Sequence, residues 1–113
     1  MAADTHPFHF TLESAKNMPI KPGMRSAELF THGSLSIRYY APDQIDQQTP
    51  HPQDEIYVIA SGNGYFKNGD HSHRFGPGDV IFVNAGVDHR FYDFSDDFAT
   101  WVAFYGIEGG ERA

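Results

Sequence analysis

A chain of 113 residues and 12.7 kDa is long enough for one domain, and its ten Phe, six Tyr and one Trp exclude a disordered chain. Eight Lys and Arg stand against 15 Asp and Glu, a net charge of −7 that repels phosphate backbones and excludes nucleic acid as an expected partner. With no Cys there is no disulfide, zinc–thiolate site or cysteine nucleophile, and with no leader-like start and no long apolar run the expectation is a soluble cytoplasmic protein without membrane attachment.

From the N-terminus, Met1–Pro7 reads as a frayed end, Phe8–Leu12 as a first strand, and Leu12–Asn17 as a helical turn too short to stand alone. Strands follow at Ser26–Thr31 and Leu35–Ala41, with His32-Gly33 as the hairpin turn between them. Glu55–Ala60 is a strongly apolar strand. Gly64–Lys67 and His71–Phe75 flank Asn68-Gly69, a pair whose tolerance of positive φ predicts a type I′ hairpin. Gly76-Pro77-Gly78 predicts a tight connection into Asp79–Val83, because Pro fixes one φ and Gly leaves the others open. His89–Phe94 and Phe98–Tyr105 complete the series before a Gly-rich end, Glu108–Ala113, that is expected to fray. Short strands joined by tight turns, without helical interludes, favour an all-β antiparallel sandwich or barrel over any βαβ plan. The expected organisation is one domain across residues 1–113 with its core at about 26–105.

Seven His is a high count, and most of them read as solvated: His6 and His9 in the loose N-terminal segment, His32 in a turn. His71 and His73 share one face of a strand but lack a carboxylate of matching parity, so they read as a surface pair. The segment T-P-H-P-Q-D-E-I-Y-V-I-A-S-G differs, since His51 and Glu55 stand at the mouth of an apolar strand. Further along, His89 follows a Gly-containing turn at the start of an aromatic strand. Two His and one Glu from facing strands form a 2-His-1-carboxylate set that leaves coordination positions open on a metal.

In these two segments the chain resembles the cupins, a family of small β-barrels. His51, Glu55 and Gly62 fall on the second His, the Glu and the closing Gly of the motif G-x5-H-x-H-x3-4-E-x6-G. Gly78, Gly86 and His89 fall on the two Gly and the His of G-x5-P-x-G-x2-H-x3-N. The resemblance implies a jelly-roll or double-stranded β-helix barrel and a homodimer. The chain departs from the pattern at Asp43, Asn84 and Asp93, which replace a Gly, a Pro and an Asn. It also departs at Thr49, which occupies the place of the family's first metal-binding His. The expected metal ligands are therefore His51, Glu55 and His89, with Gln47, Gln53 or Asp54 available to complete the sphere of a divalent transition metal (Fe, Mn, Ni or Zn).

Strand alternation puts Tyr57 and Ile59 on the face of Glu55, and Phe91 and Asp93 on that of His89, which gives an apolar, aromatic small-molecule pocket. Tyr57 and Asp93 are the candidate acid–base or orienting groups, while Arg38 and Arg90 read first as solvated side chains and only second as holders of an acidic group. The expected function is a metal-dependent enzyme on a small oxygenated substrate, of dioxygenase or isomerase type. The alternatives are a non-catalytic small-molecule binding or sensing module and a metal-free structural barrel.

Overall fold

The computed structural model describes residues 8–112. Its elements are α1 (Leu12–Lys16), β1 (Ala27–His32), β2 (Leu35–Tyr40), β3 (Asp54–Ser61), β4 (Gly64–Asn68), β5 (His71–Phe75), β6 (Val80–Val83), β7 (His89–Tyr92) and β8 (Ala99–Tyr105). The strands form a five-stranded sheet in the order β1-β2-β8-β3-β6 and a three-stranded sheet in the order β5-β4-β7, with every pairing antiparallel. This is the all-β barrel expected from the punctuation of the sequence. Among the described residues, no helix is long and apolar enough to cross a membrane.

The two sheets face each other across an aromatic core. Tyr57, Ile59, Ile81, Val83, Val102 and Phe104 enter it from the larger sheet, and Phe66, Phe75 and Phe91 from the smaller. Period-2 alternation accounts for this: Glu55, Tyr57 and Ile59 are buried while Val58 on the opposite face is exposed. Edge-to-face packing of Tyr57 on Phe91, at 4.8 Å between centroids and 81° between planes, joins the sheets near the site. A second cluster lies where α1 packs Leu12, Ala15 and Met18 against Ala27, Tyr39, Ala99 and Trp101.

Three expectations are corrected. Residues 8–11 are not a strand running into Leu12, because Thr11 caps α1: its hydroxyl accepts from Ser14 N–H, and the Ser14 hydroxyl accepts from Thr11 N–H. The hairpin loop between β4 and β5 is Gly69-Asp70 and not Asn68-Gly69, since Asn68 pairs with His71 inside the ladder. Only Gly69 takes a positive φ, 60°, and Gly in the first loop position is the type II′ order. The β1–β2 hairpin is likewise one residue later than expected, with His32 paired to Leu35.

The C-terminal segment is hydrogen-bonded to the barrel through Glu111. Gly109 N–H donates to Pro52 O at 2.8 Å, Glu111 N–H to Asp54 Oδ2 at 2.8 Å, and Gln53 Nε2 to Gly106 O at 2.8 Å. The expected fraying of Met1–Pro7 lies outside the described residues.

Candidate functional site

Glu55, the second residue of β3, pairs in register with Val83 on one side and Phe104 on the other, so its side chain points inward between the sheets. His89 opens β7 in the facing sheet. The two are almost fully buried and meet: Glu55 Oε1 lies 2.6 Å from His89 Nε2. Despite that distance, His89 Nε2 has no aligned hydrogen-bond partner, and neither has Glu55 Oε2. His89 Nδ1 lies 2.8 Å from Val87 O, which can only accept, so Nδ1 carries a proton and donates it there. A backbone carbonyl on the far ring nitrogen is the usual way a ligating imidazole is oriented.

Electrostatics follow from this placement. Burial pulls the His89 imidazole down, but the Glu55 carboxylate, the Val87 carbonyl and the Asp46 charge outweigh it and hold His89 above the ordinary histidine value. His51 goes the other way: burial lowers it, with Arg38 and His89 adding to the effect against the opposing pull of Glu55.

Glu55 opens onto a cleft of about 280 Å³ whose walls include Arg25, Arg38, Gln48, Thr49, His51 and Phe104. His51 lies flat on Phe104, with ring centroids 3.7 Å apart and planes 16° apart. Its Nδ1 accepts from Gln53 N–H at 3.3 Å, which leaves the ring proton on Nε2. Thr49 lies on the cleft wall and is exposed.

The expected ligand trio is thus gathered unequally. Glu55 and His89 are in contact, and His51 shares the cleft with Glu55 but does not converge on the pair. Among the described residues, no group of three or more His, Cys, Asp or Glu encloses a common point. The donor chemistry of Glu55 and His89 fits a metal ion: Glu55 Oε2 is a buried carboxylate oxygen without a partner, and His89, with Nδ1 turned to the Val87 carbonyl, presents Nε2 to the same place. For His51 to join through Nε2, the long bond from Gln53 must be given up and the ring proton moved to Nδ1.

The residues considered as a fourth ligand are engaged elsewhere. Gln47 Oε1 accepts from Arg25 at 2.8 Å, Gln53 Nε2 donates to Ser34 O and Gly106 O, and Asp54 accepts from Ala85 N–H and Glu111 N–H. Tyr57 is fully buried, and its hydroxyl lies 3.0 Å from Glu55 Oε1, where it donates to the carboxylate. Burial first, then the Glu55 charge, push that phenol well above the usual tyrosine range, so it stays a donor. Asp93 does not share the cleft: β7 ends at Tyr92, the alternation breaks, and Asp93 is exposed with φ 49°. Arg90 points outward and is exposed, whereas Arg38 lines the cleft.

Two residues that the sequence did not single out hold this arrangement in place. Gln48 Nε2 donates to the Tyr57 hydroxyl at 3.0 Å. Asp46, 2% exposed, accepts from Tyr40 Oη at 2.6 Å, Gln48 N–H at 3.0 Å, Gln48 Nε2 at 3.2 Å and Phe91 N–H at 2.9 Å. The loop between β2 and β3 is thereby fastened to both sheets behind the site.

Two antiparallel sheets facing each other, with a small cleft opening on a buried carboxylate and imidazole, define a barrel of the double-stranded β-helix class. A family profile for the cupin domain matches residues 36–105, and the chain belongs to the cupins. It is 37% identical over 73 residues, 63% of this chain and 70% of the other, to an uncharacterized protein of Streptomyces coelicolor.

Among solved structures it is similar to a double-stranded β-helix protein from Klebsiella pneumoniae, with a TM-score of 0.68 and 14% identity over 90% of this chain and 93% of that one. A cupin superfamily protein from Desulfitobacterium hafniense gives a TM-score of 0.61 and 17% identity over 80% and 85%. At these identities the structural likeness carries the fold alone.

Proposed function

We propose that the chain is a metal-binding cupin that takes a small oxygenated organic molecule into this cleft, with Glu55 and His89 anchoring a divalent transition ion and His51 supplying the third donor. The observation that carries the reading is the buried pair itself: a carboxylate and an imidazole 2.6 Å apart, with Glu55 Oε2 and His89 Nε2 left without an aligned hydrogen-bond partner. Burying such groups without partners costs free energy that a cation offsets.

An ion with open positions there would supply Lewis acidity, polarising a carbonyl or gripping two adjacent oxygens of a hydroxy-ketone, enediol or carboxylate. The chain's own residues do the positioning. The Val87 carbonyl fixes the His89 ring, Tyr57 holds Glu55 Oε1, and Phe104 forms an apolar wall beneath His51.

One observation favours a second reading, a metal-free binding module: His51 keeps its Nδ1 on Gln53 N–H and stands apart from the other two. Equilibrium dialysis of the full chain against iron(II), manganese(II), nickel(II) and zinc(II) separates the two readings. The metal-binding reading expects one ion per chain in wild type, none in Glu55→Gln or His89→Ala, and at least about tenfold weaker binding in His51→Ala. A wild-type chain that takes up none of the four ions overturns it in favour of the metal-free module.

A further inference from the structure

The cleft collects positive charge in a chain that has little of it. Arg25 and Arg38 are two of only eight Lys and Arg in a chain of net charge −7, and both line this one cleft beside Glu55. Arg38 stands on the inward face of β2, paired with Val102, and Val102 pairs with Tyr57, so Arg38 looks into the same interior as the Glu55 strand. Phe104 lies between Arg38 and Glu55 in the sheet, with the Arg38 guanidinium carbon 5.6 Å from its ring centroid. The side chain is only 17% exposed, so it is held in place.

Its partners set what it can still bind. Nε donates to Ser36 Oγ at 3.1 Å and Nη2 to Glu28 Oε2 at 3.3 Å, while Nη1 has only a weak contact to Met24 Sδ at 3.9 Å. A guanidinium has five N–H groups, so one hydrogen on each terminal nitrogen remains without a partner among the described residues. Guanidinium hydrogens lie in one plane, and a pair of them on the two terminal nitrogens is able to take the two oxygens of a carboxylate. Glu28 already offsets part of the Arg38 charge, and Glu55 adds a negative charge to the same walls, so a monoanion suits the cleft better than a phosphate dianion. A volume of about 280 Å³ limits the ligand to metabolite size.

We infer that the ligand of this cleft is a small organic monocarboxylate carrying a second oxygen function: Arg38 takes the carboxylate end-on, and the other oxygen is directed across Phe104 toward Glu55 and His89. This rests on the reading of the cleft as the ligand site, and it makes Arg38 a specificity residue.

The test is calorimetric titration of the full chain, with manganese(II) and again with a chelator, using lactate, pyruvate and 2-hydroxyisobutyrate against their methyl esters and against inorganic phosphate. The acids are expected to bind at least about tenfold more tightly than the esters, as charge-assisted hydrogen bonds require, and more tightly than phosphate. Arg38→Met is expected to abolish the preference for acid over ester while manganese uptake is kept. Glu28→Gln, which removes the competing carboxylate, is expected to tighten acid binding by a few-fold and keeps the test decisive should the Arg38 variant fold poorly.

Equal binding of acid and ester, preference for phosphate, no binding of any acid, or acid binding unchanged in both variants would each overturn the inference. A wild-type chain that takes up manganese but shows no acid selectivity counts against the role of Arg38 alone. Selectivity kept in a chain that takes up no ion counts against the metal site alone.

Discussion

The Asp46 carboxylate is the most heavily committed side chain behind the site, and replacing it by Asn isolates what its charge and two acceptors contribute. Oδ1 accepts from Tyr40 Oη and Gln48 N–H, and Oδ2 from Gln48 Nε2 and Phe91 N–H, so all four partners are donors. An Asn has one acceptor and one donor group, and either orientation sets an NH₂ against a backbone N–H that cannot turn away. With the NH₂ at the Oδ1 position, the Tyr40 hydroxyl rotates to accept and Gln48 N–H is left without a partner. With it at the Oδ2 position, Phe91 N–H is stranded in the core. The first orientation is the cheaper.

Losing one charge-assisted bond and weakening the others costs about 2–3 kcal/mol, and Asp46→Ala, which removes all four, costs about 3–5 kcal/mol. For a domain near this size each kcal/mol moves the melting temperature by about 4 °C or somewhat more, so Asp46→Asn is expected to melt about 10 °C below wild type. Urea unfolding followed by fluorescence and by circular dichroism checks the free-energy difference. An Asp46→Asn chain within about 0.5 kcal/mol of wild type would refute the assignment of Asp46 as the anchor of this loop.

Gly62 takes a φ of 83°, and a Cβ there would stand 2.5 Å from Phe98 Cα and 2.8 Å from Phe98 N. Gly62→Ala is therefore expected to cost about 3 kcal/mol or more from backbone strain and backbone clash together, read from the urea midpoint, and a neutral substitution would contradict the geometry. Tyr40 is raised by burial first and by the Asp46 hydrogen bond and charge next, and Tyr57 by burial and by Glu55, so both phenols keep their protons in the folded chain above the ordinary value of 10.0. Above that pH the unfolded chain has released protons that the folded one retains, so stability falls as pH rises. An ultraviolet titration should show these two phenols ionising only together with unfolding, whereas reversible ionisation of all six tyrosines in a folded chain would contradict it.

Most of the barrel was legible because half-buried strands alternate and turns carry Gly and Pro, and eight of the expected strands lie within a residue or two of their observed limits. Phe8–Leu12 misled because its aromatic residues look β-like, while the reciprocal Thr11–Ser14 cap, a two-residue signal, decides for helix. The hairpin loops slipped by one because Gly-Asp and Gly-Ser serve as well as Asn-Gly, and only the register of Asn68 with His71 and His32 with Leu35 chooses between them.

At the site, motif spacing located Glu55 and His89, and strand parity placed Tyr57 inward beside Glu55. Parity failed for Asp93, because β7 ends one residue before it. Asp46 and Gln48 left no local trace, since they sit in a loop without periodicity and the Asp46 bond to Phe91 N–H spans 45 residues. The anchoring of the C-terminus was hidden for the same reason, Asp54 and Glu111 being distant in sequence.

The most direct trial of the account is anomalous diffraction from crystals of the full chain grown with manganese(II) or zinc(II). A peak bonded to a Glu55 carboxylate oxygen and His89 Nε2, with the His51 ring released from Gln53 and turned to it, is the expected result. A difference map empty at that place under saturating ion, with a straight hydrogen bond joining His89 Nε2 to Glu55 Oε1, would contradict it.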